Sequence, residues 1–226
     1  MSGIMLNVLG GTFVVPIPAI GSAYGGGYFA GQISTAGNSI ADYNLVVGPV
    51  ASAQDSAKQY KNALSATAGA ESVIDGPQNT ADIVADGNST VYPAGHFCND
   101  LVIGGFTDWY MPAKNELEIC YYNLKPTTAN NNTGGTNGVN ANAVPARTTN
   151  YTLSVPAQTS AADFQGPSGT EKFGGGGPLA GAYWTSTENA AFSVSYAFVR
   201  YLSDGNQGNF PKNYTRPVRA VRRVAV

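Results

Sequence analysis

The stretch GGFTDWYMPAKNELEICYYNLKP, Gly104 to Pro126, carries the clearest helix signal in the chain. Pro112 suits a first helical turn, where its missing N–H would have no partner anyway. The expected helix runs from Pro112 to Leu124. Leu117, Cys120, Tyr121 and Leu124 recur at i, i+3, i+4 and i+7, which gives one buried face. Glu116 and Glu118 lie toward the amino end and Lys125 at the carboxyl end, as the helix dipole favours, and Pro126 stops the helix. Trp109, just upstream, reads as a core residue, and Asp108 as a local cap or turn.

Outward from this helix the pattern changes to strands. Tyr183–Ser186, Phe192–Leu202 and Arg216–Val224 are rich in aromatic and β-branched residues. In the second, Ser193, Ser195, Ala197, Val199 and Tyr201 alternate with Val194, Tyr196, Phe198 and Arg200. Tyr196 and Phe198 therefore share one face and Tyr201 takes the other. Gly205 and Gly208 mark a turn region before the last strand. On the amino-terminal side, Tyr28–Ile33 and Asp42–Val47 read as short strands joined by a polar turn at Ala36–Ser39. Ser52–Ala68 has helical propensity, and a short helix is expected to start near Asn79 or Thr80. The fold class is α+β.

Two segments fall outside this pattern. Residues 1–27 are apolar, uncharged and punctuated by glycine. An exposed strand of that kind invites aggregation, so the segment docks either on an assembly partner or as a first strand of the same domain. Thr127–Gly181 is rich in Asn, Thr, Gly and Pro and is too long for an ordinary loop. It reads as an ordered insertion, a mobile surface excursion or an intersubunit contact within a domain spanning 28–226.

Of the 226 residues 43% are hydrophobic and 12% charged, against about 25% charged in an ordinary soluble domain. The surface must therefore be polar mainly through neutral groups. A net charge of −2 argues against general nucleic-acid binding. Six of the twelve basic residues lie at or after Arg200 (Arg200, Lys212, Arg216, Arg219, Arg222, Arg223). They form either a polyanion patch or ion pairs around the last strand. Cys98 and Cys120 are the only cysteines; Cys120 falls on the buried helix stripe, which favours a free thiol over a disulfide. No Lys or Arg precedes Lys58 and no 18-residue apolar run occurs, so neither a secretory signal nor a membrane span is expected.

The segment Gly104–Pro126, with YWTSTE (Tyr183–Glu188) and VRAVRR (Val218–Arg223), resembles phage and prophage proteins of C-type-lectin-like fold. Some of these are the variable proteins of diversity-generating retroelements. YFAGQI (Tyr28–Ile33), the DGPQNT turn (Asp75–Thr80) and PAGHFCNDL (Pro93–Leu101) extend the resemblance over roughly 28–226. It implies a compact domain with two helices flanking a small twisted antiparallel sheet, long ordered loops and adjacent chain ends. It also implies a ligand-binding face built from the late strands. In the diversified members, the stretch between the two late motifs varies from copy to copy.

The residues of this stretch proposed to contact a ligand are Phe192, Tyr196, Phe198, Arg200, Tyr201, Asn206, Asn209, Phe210, Asn213 and Tyr214. Tyr gives rigid contact area, and Asn, Ser and Gly give adaptable hydrogen bonding. Phe210 and Tyr214 are the expected exposed anchors. Trp109, Pro112, Trp184, Glu188, Arg219 and Arg222 are assigned structural roles, with Glu188 expected to pair with Arg219 or Arg222.

Calcium-binding lectin motifs are missing from the sequence, and one His with two Cys makes a metal site a poor expectation. No cofactor is expected. Formylglycine-generating enzymes share the implied fold, but their reactive cysteines come late, and here no cysteine follows Cys120. The expectation is a non-enzymatic phage receptor-binding protein on the virion surface, made in the host cytoplasm. Its partners would be a host-surface protein or glycan, other virion proteins through residues 1–27, and its own copies, with a trimer favoured. The alternative is a structural virion component such as a decoration, spike or baseplate protein; a bacterial adhesin is a third possibility.

Overall fold

A computed structural model describes residues 16–174 and 181–226. Among these the elements run β1 (Ala23–Tyr24), β2 (Gly27–Ile33), β3 (Tyr43–Val47), the one-turn helix α1 (Val50–Ala53), β4 (Gln54–Gln59), α2 (Gly76–Asp86), α3 (Pro93–Asn99) and α4 (Lys114–Leu124). There follow β5 (Ala182–Glu188), β6 (Tyr196–Tyr201), β7 (Gln207–Pro211), β8 (Thr215–Arg219) and β9 (Val221–Ala225). Every strand pairing is antiparallel, in sheets ordered β1-β2-β3-β9, β4-β8 and β5-β6-β7. The architecture is α+β, with curled antiparallel sheets and few helices.

Strand β3 separates two halves of the core. Its alternation sends Leu45 and Val47 toward α4, where they meet Leu117, Cys120, Tyr121 and Tyr183. Val46 points the other way, into a cluster with Trp109, Trp184, Tyr60 and Tyr92. A strand buried on both faces reads as a continuous apolar run, as LVV does. Helix α4 starts at Lys114, two residues later than the sequence suggests. The Glu116 carboxylate reaches back to the Ala113 N–H (2.8 Å) and Thr187 Oγ1 accepts from the Lys114 N–H (3.0 Å), so two amino-terminal donors are satisfied. Pro112 lies just ahead of the helix, and its carbonyl accepts from the Ser186 N–H at 2.8 Å.

Four expectations change. Ser52–Ala68 is not a helix: only Val50–Ala53 is helical, and Gln54–Gln59 is strand, because β8 supplies ladder partners from Gln54↔Arg219 to Gln59↔Thr215. Tertiary pairing overrides local propensity here. The expected strand at Arg216–Val224 is two strands in different sheets, broken at Ala220, whose N–H donates to Ala53 O (2.9 Å) and whose carbonyl accepts from Gly48 (3.0 Å). The start of the expected 192–202 strand is a 3-10 turn at Ala190–Phe192. The Gly205–Gly208 region is not only a turn, since β7 begins at Gln207. Helix α3 was not expected, and α2 starts at Gly76, ahead of the expected Asn79 or Thr80.

The ordered unit also begins before Tyr28. Gly21 N–H donates to Phe29 O (2.8 Å), Phe29 N–H donates to Ser22 O (2.9 Å), and Ile20 packs against the core. The remainder of the expected attachment segment, residues 1–15, lies outside the described residues. Within 127–174 the long insertion is ordered by buried polar groups. Asn131 accepts from Tyr121 Oη (2.5 Å) and Lys125 Nζ (2.7 Å) and donates to the carbonyls of Thr152 (2.9 Å) and Pro156 (3.0 Å).

Candidate binding surface

Strand β5 is buried along its whole length and pairs with β6 in the late-strand sheet. Trp184 is anchored there by its Nε1–H bond to Lys58 O (2.9 Å) and by Tyr60, whose ring centroid is 5.8 Å away. Trp109 is likewise buried. Beside β5 runs the β6–β7 hairpin, in the register Tyr196↔Pro211, Ala197↔Phe210, Phe198↔Asn209, Val199↔Gly208 and Arg200↔Gln207. Residues directly opposite share a face, so the proposed contact residues divide into two groups.

One face carries Tyr196, Phe198 and Asn209. Phe192, from the turn before β6, is 62% exposed and meets the Tyr196 ring edge-on at 6.2 Å. Phe198 is half-buried under Lys114, whose Nζ lies 5.2 Å from the ring centre. Burial and the nearby Arg200 cation hold the Lys114 ammonium below its ordinary pKa.

The other face begins in the core with Ala197 and Val199 and runs outward through Tyr201, Phe210 and Tyr214. Tyr201 lies over Gly208, where a Cβ would be 3.3 Å from the ring, and its centroid is 6.4 Å from that of Phe210. Phe210 is half-buried beneath the Arg216 guanidinium (3.9 Å), whereas Tyr214 is 52% exposed. Asn209 and Asn213 are exposed and Asn206 is half-buried. Of the two expected anchors, Tyr214 projects outward and Phe210 is its support.

Arg200 is not a surface residue. It is 2% exposed, and Nη1 donates to Gly205 O (2.6 Å) and Asn137 O (3.1 Å). It braces the β6–β7 turn against the insertion. The pairing expected for Glu188 is also corrected: its partner is Lys212, with both side chains fully buried. Burial pushes the Lys212 ammonium below its ordinary pKa. Arg219 instead pairs with Glu171 (2.8 Å) and donates through Nε to Gly48 O (2.8 Å). Arg222 grips Asp108 with two bonds (2.7 and 2.9 Å), so Asp108 is an ion-pair partner and not a local cap. Arg223 pairs with Glu116 (2.8 Å). Thus the last three arginines are held by carboxylates and form no polyanion patch.

Lys114 was missed, and Lys212 and Arg216 were singled out only as members of the late basic cluster, with no partner named. Lys212 sits in a Pro-Lys-Asn setting that resembles an exposed turn, and its burial depends on Ser65 and Glu188, far away in sequence. The scarcity of charge was the available signal, since few cations in such a chain can be idle. Cys98 and Cys120 are both free and buried, and burial raises both thiols above their ordinary pKa. Among the described residues no group of three or more His, Cys, Asp or Glu side chains could hold a metal ion, and no helix is long and apolar enough to cross a membrane. Comparison of the chain with protein-family models and with curated proteins gave no match.

Proposed function

We propose that this chain is a non-enzymatic, C-type-lectin-like recognition domain that displays its late-strand surface from a virion toward a host-surface protein or glycan. The observation that carries the reading is the exposure of aromatic and amide side chains (Phe192, Asn209, Asn213, Tyr214) around the two faces of a hairpin whose neighbouring strand β5 is fully buried. Exposed rings on rigid strands give contact area with little entropy to lose on binding. The antiparallel sheets and few helices are compatible with the lectin-like arrangement that the sequence resembles. One His in the whole chain and two sealed thiols offer little to a catalytic reading. Copies arrayed as a trimer would raise avidity by about 10²–10⁴ without new contacts.

A structural role in the particle is the second reading. It is favoured by exposed Val194 beside Phe192, an apolar pair that a neighbouring subunit would cover. One experiment separates the two: host-cell adhesion of wild type against a Phe192→Ala, Tyr214→Ala double variant. Recognition requires lost adhesion with the thermal midpoint and oligomeric state kept. Unchanged adhesion together with dissociated copies supports the structural role.

A further inference from the structure

We propose that Arg216 receives a ligand carboxylate, and that the ligand is an acidic sugar whose ring lies on Tyr214. Arg216 is 8% exposed, yet its Nε is enclosed without a partner and its one hydrogen bond runs from Nη1 to the neighbouring Thr215 carbonyl at 3.3 Å. Buried guanidinium groups here are held by carboxylates, as in Arg219, Arg222 and Arg223, or by two carbonyls from other segments, as in Arg200; Arg216 has neither. Arg216 has no carboxylate within salt-bridge distance among the described residues. Its flat face is already occupied, 3.9 Å from the Phe210 centroid and 5.9 Å from Tyr214, and Nε is enclosed, which leaves the Nη edge for an incoming anion.

A second observation points the same way. In the β4–β8 ladder Lys58 stands directly opposite Arg216. Like charges opposite each other destabilise a sheet, and among the described residues the acid paired with Lys58 is Asp55, at 3.4 Å on its own strand. One anion bound between the strands relieves that repulsion. Beside it stands the exposed Tyr214 ring, which suits the flat face of a sugar. A long polyanion fits poorly, because Asp55 lies beside the site and the chain's net charge is −2.

This assignment rests on the recognition reading and narrows it to a ligand class. The test is an NMR titration of the full chain with trigalacturonic acid, with its carboxyl-reduced trisaccharide, and with triglutamate. The acidic sugar is expected to bind at least about tenfold more tightly than the reduced one, through the charge-assisted fork. Arg216→Gln removes that preference, and Tyr214→Ala weakens both sugars while leaving the thermal midpoint unchanged. Should Arg216→Gln not fold, Lys58→Gln still has to shrink the preference. Equal affinity for the two sugars overturns the assignment, as does triglutamate binding as tightly as the acid sugar. Tyr214-dependent adhesion to host cells without any acid-sugar binding overturns it too, while leaving the recognition reading standing.

Discussion

Lys212 and Glu188 have no exposed surface, so each depends on the other. Glu188 also accepts from the Thr67 N–H (3.1 Å) and Lys212 donates to Ser65 O (2.8 Å), so the pair ties the 65–67 loop to β5 and the end of β7. Lys212→Ala leaves a carboxylate sealed in the core and should cost about 3–5 kcal/mol, whereas a Lys212→Met, Glu188→Gln double variant should recover much of it. Urea unfolding midpoints at constant slope check this. Asp86 offers a pH test. Hydrogen bonds from Tyr92 and Lys61 hold its carboxyl below the usual Asp value. Its contribution to stability is therefore complete above the unfolded pKa of about 3.9 and is lost as pH falls through the lower folded value. Thermal midpoints of wild type and Asp86→Asn should differ at neutral pH and converge in acid. At this scale the sequence was least informative. Arg200 looked like a paratope residue because it lies in the stretch between the two late motifs, and only the fold reveals that the insertion covers that end of the strand.

The β6–β7 hairpin shows what an element can hide and what it discloses. Its alternation was legible, and Tyr196 and Phe198 do share a face opposite Tyr201. The turn was legible from Gly205, whose φ of +76° is costly for other residues. A Cβ there would also lie 2.2 Å from the Tyr121 ring. Gly205→Ala should therefore destabilise the protein by about 2 kcal/mol or more, from strain and overpacking together, and thermal unfolding measures it. Strand β7 was not legible, since Gln-Gly-Asn lacks strand propensity and is held by its partner's ladder. The same reason conceals β4. Helix α4, with its own periodicity and its own stop signal, needed no such help and was placed to within two residues.

At the scale of the molecule, the insertion is held by a lysine without a carboxylate. Lys125 Nζ donates to Ala129 O (2.6 Å), Asn131 Oδ1 (2.7 Å) and Pro156 O (3.2 Å), which fills all three of its donors. Asn131→Ala leaves Lys125 Nζ and several carbonyls short of partners and should cost about 1–3 kcal/mol. Hydrogen exchange should then quicken across 127–165 while β2 and β3 keep their protection, which would identify the insertion as a separately melting unit.

The placement of β9 has a consequence for how the chain is made. Strand β3 hydrogen-bonds to β2 within a few residues, but its opposite edge, Tyr43 to Val47, is matched only by Val221 to Ala225. While the ribosome synthesises everything in between, that edge waits open, and its YNLVV sequence is suited to pairing with a stranger. Folding that must close so long a loop is slow, in the range of about milliseconds to seconds. A nascent chain stalled before Val221 would be a competent nucleus for aggregation, and the finished chain would not.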